Sequence, residues 1–257
     1  MEPKVRRVLI IIGTFFITNA LLAEFIGVKI FSLESTLGFH PVDWTVFGIS
    51  HLSFNLTAGV LLWPFVFIMT DITNEYFGTK GVRLLSLLAV GMIGYAFLMV
   101  FLAVHVVPSD FWINQTQNGQ PINMNQAFNG IFGQGLNIII GSLVAFLLGQ
   151  LVDVWSFHLL RRLTGHKKIW LRATGSTLIS QLIDSFVVLY IAFYLSGPHW
   201  PLKQVMAIAT INYIYKCFMA IAMTPLIYVV HNWIDKYLGK RLANKMIETA
   251  ARQSEKR

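Results

Sequence analysis

The sequence predicts an all-α, polytopic membrane protein of about six transmembrane helices, on three observations: 55% of its residues are hydrophobic, only 12% are charged, and its mean hydropathy is +0.62. An ordinary soluble domain carries roughly 25% charged residues. A helix needs about 20 mostly apolar residues to cross the hydrocarbon core, so 257 residues accommodate about six crossings with short loops, as a single integral membrane domain over 1–257.

Windows of about 19 residues place the helices near 8–31, 56–76, 82–107, 136–160, 171–196 and 204–233, with a cytoplasmic tail at 234–257. The first follows a basic start, as a signal peptide would. Its apolar run is too long for one, and no Ala-x-Ala-type site follows it, so it is read as a membrane helix. Pro64 and Pro225 fall inside the second and sixth helices and are expected to kink them. Residues 32–55 are too polar to span, yet rich in aromatic and β-branched side chains, which suits a hairpin or an interfacial segment. A long polar loop follows the third helix, with Phe111 and Trp112 suited to the headgroup zone. A short basic loop joins the fourth and fifth helices. The tail mixes charges with alanines and is expected to be helical or frayed.

Charge placement sets orientation. Of the 20 Lys and Arg residues, 17 fall at the start, near Lys80 and Arg83, between Arg161 and Arg172, or after residue 233. With six crossings all of these lie on one side, which is then the cytoplasmic side, with both termini there. The net charge of +8 is thus a topology signal facing anionic lipid, and no nucleic-acid partner is expected. The single cysteine, Cys217, rules out a disulfide framework or a CxxC pair. No His-Glu-x-x-His, Gly-x-Ser-x-Gly or Walker loop occurs. No cofactor, metal or catalytic residue is expected.

Ionisable side chains inside lipid-embedded helices cost several kcal/mol and mark pathways or binding sites. Asp71 and Glu75 share a face of the second helix at i,i+4. Gln150 and Asp153 lie on the fourth, Gln181 and Asp184 on the fifth, and Asn212, Tyr213 and Lys216 on the sixth. These nine are the candidate substrate-binding residues. Four helices each carrying a polar stripe favour a polar cavity, whereas packing alone is satisfied by small residues. Asp184 is twelve residues past Arg172, ~18 Å at 1.5 Å per residue, and so near the midplane. Lys216 reaches a similar depth from Lys203, which makes the two candidates for a buried ion pair. Glu24 and Asp153 sit near helix ends and can snorkel. The segments GQLVDVW at 149–155 and SQLIDSF at 180–186 share a Gln-Leu-aliphatic-Asp core. On antiparallel neighbours these cores are expected at different depths. A 3+3 inverted repeat is compatible with the pattern.

Four stretches carry a family resemblance: AGVLLWPFVFIMTDITNEYFG at 58–78, GQLVDVWSFHLLRR at 149–162, STLISQLIDSFVVLYIAFY at 176–194 and INYIYKCFMAIAMTPLIY at 211–228. In this order, the Asp-x-x-x-Glu-Tyr-Phe-Gly, Gln-x-x-Asp and Tyr-x-x-Lys elements resemble the queuosine precursor transporter family, also called the vitamin uptake transporter family. The resemblance implies a multi-pass protein of the bacterial inner membrane. It also implies import of a small nucleobase-like substrate, 7-cyano-7-deazaguanine or its 7-aminomethyl form, for tRNA modification. A homodimer is compatible with it. Two other readings stand beside it: a substrate-binding membrane subunit that needs a separate energising partner, and an intramembrane enzyme whose Asp153 and Asp184 share a proton.

Overall fold

Residues 2–117, 119–133, 136–164, 169–195 and 199–255 are described in a computed structural model of the chain. Lys167, Lys168, Lys256 and Arg257, which contribute to the basic side, lie outside the described residues.

The first helix, α1 (Pro3–Ile26), has Pro3 in its first turn and buries Val5, Val8, Ile12 and Phe16 at helical spacing. It ends five residues before the expected Phe31, because Gly27 follows it and the chain turns into strand at Ile30. From there β1 (Ile30–Ser32), the short α2 (Leu33–Thr36), β2 (Trp44–Val46), β3 (Ile49–Leu52) and β4 (Asn55–Thr57) build two nested antiparallel hairpins, the inner β2–β3 and the outer β1–β4. Phe47 and Gly48 close the inner one with φ of +50° and +72°. Two central residues with positive φ are what a tight two-residue hairpin turn needs. The 32–55 segment is therefore the hairpin alternative.

The Glu34 carboxylate fastens this hairpin, accepting the Phe54 amide at 2.9 Å and the Val42 amide at 3.4 Å. Burial pushes its carboxyl up, but hydrogen bonds from Phe54 and the other backbone amides outweigh this and hold it below the ordinary carboxylate value. A lowered folded-state value contributes stability at pH above the unfolded-state value of ~4.3, and that stability is lost as pH falls through the folded value. Protease cleavage within 32–57 is thus expected to be flat from neutral pH down to about 5 and to accelerate below about 4. In Glu34→Gln the acid-side acceleration should vanish, since no proton is taken up there.

The next helix, α3 (Trp63–His105), begins later than expected, with Pro64 in its first turn and not as an interior kink. It joins what the sequence divides into helices near 56–76 and 82–107. The division survives at Gly78, whose φ of 66° and ψ of −170° break the helix between two stretches. Before the break, Val66 to Tyr76 are buried without interruption, the mark of a central helix enclosed on all sides. After it, Leu84, Leu87, Leu88, Met92 and Leu98 are exposed in a row suited to lipid. Then come α4 (Asp110–Ile113), a hairpin of β5 (Asn114–Gln117) and β6 (Gln120–Asn123), and α5 (Met124–Phe132). This loop folds back over the bundle: Trp112 meets Phe128 edge-on, and Phe132 meets Phe25 of α1. Phe111, by contrast, is exposed.

Two antiparallel helices follow, α6 (Leu136–Thr164) and α7 (Ile169–Leu189), the latter widening into a π-helical turn over Tyr190–Leu195. The last span divides into α8 (Leu202–Ala222) and α9 (Thr224–Leu238) at Met223, so Pro225 opens a new helix where a kink was expected. Tyr76 ties α9 to the central helix, its hydroxyl donating to Asp235 at 2.6 Å. The tail forms α10 (Lys240–Glu255), packed on the main core through Leu242, Ala243, Met246 and Ile247. Among the described residues, five helices are long and apolar enough to cross a membrane, one of them the 43-residue α3 with its break.

Candidate functional site

Small residues let α6 and α7 approach closely. A Cβ on Gly141 would lie 2.9 Å from Ile191, too close without a shift, and one on Gly149 would sit in ordinary contact, 3.6 Å, with the Asp184 Cβ. Ser180 donates to Asp153 at 3.3 Å, and Ser156 to the Ser176 carbonyl at 3.5 Å. As numbers fall on α6 they rise on α7 in one register. The Gln150–Asp153 and Gln181–Asp184 cores consequently cross at the same level, which corrects the expectation of different depths. Because the helices are antiparallel, a shared level puts Asp153 and Asp184 on opposite sides of the crossing. Asp153 meets Ser180 while Asp184, one turn on, meets Lys216. Each acid thus has its own partner on its own side, which is not the arrangement of a proton-sharing pair.

The ion pair suggested by depth is present: Lys216 Nζ of α8 lies 2.5 Å from Asp184 Oδ2, with the side chains 12% and 22% exposed. It borders a cavity of about 370 Å³ walled by Glu24, Trp63, Ser142, Asp184, Asn212 and Lys216, with Phe132 and Phe193 toward the hairpin and loop side. That volume is in the range of small-molecule sites, roughly 300–1,000 Å³. A second, narrower cavity is walled by Trp63, Phe67, Asp71, Gln181, Tyr215 and Lys216. Val60, Trp63 and Lys216 belong to both walls and form the partition between them.

The nine predicted residues therefore divide. Asp184, Asn212 and Lys216 face the larger cavity, and Asp71 and Gln181 face the smaller one with Lys216. Gln150 joins helices: its Oε1 accepts from Thr70 and Ser86 of α3, both at 3.4 Å. Tyr213 donates to the Leu178 carbonyl at 3.3 Å, tying α8 to α7. Asp153 and Glu75 are buried and line neither cavity. Among the described residues, Asp71 Oδ1 and Gln181 Nε2 are buried without a hydrogen-bond partner, as polar atoms facing a ligand position would be.

Sequence reasoning misses Glu24, Ser142, Trp63 and Tyr215 as site residues. Glu24 lies near a helix end, where snorkelling is the natural expectation, but its carboxylate accepts from Ser142 at 2.5 Å and faces the cavity. Trp63 and Tyr215 are aromatic residues in apolar stretches, which nothing in a single sequence distinguishes from packing.

A family model described as a putative vitamin uptake transporter matches residues 57–230, which contain α3, α6, α7 and α8 but not α1. The chain is 30% identical over 197 residues to a queuosine precursor transporter of Escherichia coli (strain K12), covering 77% of this chain and 80% of that one. It is 30% identical over 187 residues to a probable queuosine precursor transporter of Haemophilus influenzae, covering 72% of this chain and 73% of the relative. A probable queuosine precursor transporter of Bacillus subtilis (strain 168) is 32% identical over 144 residues, 54% of this chain and 58% of that one. No solved structure matches the chain. With several apolar helices and transporter relatives, it is a multi-pass protein of the bacterial inner membrane, and it belongs to the vitamin uptake transporter family, alongside the queuosine precursor transporters.

Proposed function

We propose that the chain imports queuosine precursors, 7-cyano-7-deazaguanine or 7-aminomethyl-7-deazaguanine, with both termini in the cytoplasm. The observation that carries this reading is the larger cavity, where an acid, an amide and a lysine converge in a chain whose relatives bear the name of that transport. A guanine-type edge presents adjacent N–H donors beside a carbonyl acceptor. A carboxylate accepts the former, and an amide or ammonium donates to the latter.

Asp184 takes the donor edge in this reading, with Asn212 and Lys216 serving the carbonyl, so the substrate competes with Lys216 for Asp184. Asp71 and Gln181 then meet the base in the second cavity, after it has passed Trp63 and Lys216. Gln150, Asp153, Glu75 and Tyr213 hold the helices that carry these groups.

The test is uptake of each radiolabelled precursor by cells unable to synthesise them. Expression of the chain is expected to raise accumulation well above the empty vector and to restore queuosine in tRNA. Accumulation equal to the vector control would reject the reading.

A further inference from the structure

Among the described residues, three ionisable groups face the larger cavity: Glu24 from α1, Asp184 from α7 and Lys216 from α8. The other polar groups on its wall, Ser142, Ser185, Asn212 and Thr57, are neutral. Lys216 is committed to Asp184 at 2.5 Å, and the two charges cancel. Glu24 has no such partner among the described residues; Ser142 donates to one oxygen, and a hydroxyl carries no charge. When all three groups are ionised, the cavity wall therefore holds one net negative charge.

An acid left without a counter-charge in a low-dielectric wall is costly, and a ligand that brings a positive charge removes that cost on binding. The aromatic side chains of the same wall, Phe25, Trp63, Phe97, Phe132 and Phe193, suit a planar ring and the face of a cation alike.

We infer that Glu24 is the counter-charge for a primary ammonium on the substrate, so that the cavity favours the 7-aminomethyl precursor over the 7-cyano one. The inference rests on the transport reading above and sharpens it. The two precursors share the base and differ in the arm. The aminomethyl arm is an alkylamine, protonated at neutral pH as a lysine side chain is, whereas the nitrile is neutral. Asp184 and Lys216 read the common base, and Glu24 reads the arm, with Ser142 orienting its carboxylate.

The experiment measures binding of both precursors to purified protein in detergent, and their uptake by cells, for wild type, Glu24→Gln and Glu24→Asp. Wild type is expected to bind the aminomethyl compound more tightly than the cyano compound. Glu24→Gln keeps size and hydrogen-bonding capacity but removes the charge. It should weaken aminomethyl binding by about tenfold or more, as losing one side of a charge pair does, and leave cyano binding within about twofold. Glu24→Asp retains the charge and should keep the preference for the ammonium arm, which a purely structural role would not require.

Equal losses for both compounds in Glu24→Gln, or an unchanged aminomethyl affinity, overturn the assignment while leaving the transport reading intact. A wild-type protein that binds and transports neither compound overturns the transport reading and this assignment with it.

Discussion

Asp184→Leu is expected to lower the stability of the purified protein by about 3–5 kcal/mol and to abolish uptake, because it leaves the Lys216 ammonium buried without its counter-charge. The Lys216 side chain is 12% exposed and that of Asp184 22%, so water screens the pair little and the solvation lost on burial is not recovered elsewhere. Replacing both members by apolar residues of similar volume is a different experiment. Asp184→Leu with Lys216→Met removes the charge along with its partner, and such double replacements are commonly neutral or stabilising. The double variant should recover most of the thermal stability lost by the single one, while uptake stays at background. Thermal unfolding in detergent and precursor uptake together separate the two roles. A single variant as stable as wild type would show that the pair contributes nothing to the fold, and a double variant that still transports would remove both residues from the site.

The second large effect is expected at Gly78. Its φ of 66° with ψ of −170° lies where an L side chain is strongly disfavoured, and forcing a residue there costs on the order of 1–3 kcal/mol. Gly78→Ala relieves that strain only by changing the direction in which the two stretches of α3 meet. The stretch before it carries Asp71, buried at the smaller cavity wall, and Tyr76, bonded to Asp235. Lower thermal stability together with reduced uptake is therefore expected. Gly94→Ala supplies the control on the same helix: a Cβ there meets nothing within 4 Å, and alanine is the better helix former by up to about 1 kcal/mol. If both substitutions were equally harmless, the break at Gly78 would not be needed to position the site.

What the sequence reveals follows from which physical property is encoded locally. Hydropathy finds the apolar helices, since the bilayer demands long uninterrupted runs whatever packs against them. Depth along a helix is simple arithmetic from its ends, and so the pairing of Asp184 with Lys216 is legible from residue spacing alone. Helix breaks are harder to read. Pro225 is visible as a breaker, but whether it kinks one helix or starts another depends on how Met223 and Thr224 turn, and that is decided by packing. A break between residues 76 and 82 is anticipated by hydropathy, but that Gly78 makes it is not, because glycine is common in membrane helices and the sign of φ is not written in its identity. The shared level of the two Gln-Leu-aliphatic-Asp cores depends on how far α6 and α7 slide past each other, which the small residues Gly141, Gly149 and Gly175 permit and neighbouring helices fix. Glu24 is easily undervalued because its position near a helix end suggests water, whereas the loop carrying Phe132 folds over it.

The same-level crossing of α6 and α7 has a mechanical consequence. Asp153 and Asp184 sit on either side of the point where the helices touch, about one turn apart, or ~6 Å along the axis. Gly149 lies against Asp184 and Ser180 against Asp153, so the contact runs across both acids and its middle can serve as a fulcrum. A small tilt of one helix on the other then moves the two acids in opposite senses, lifting one from its partner as it presses the other home, in the manner of a balance beam.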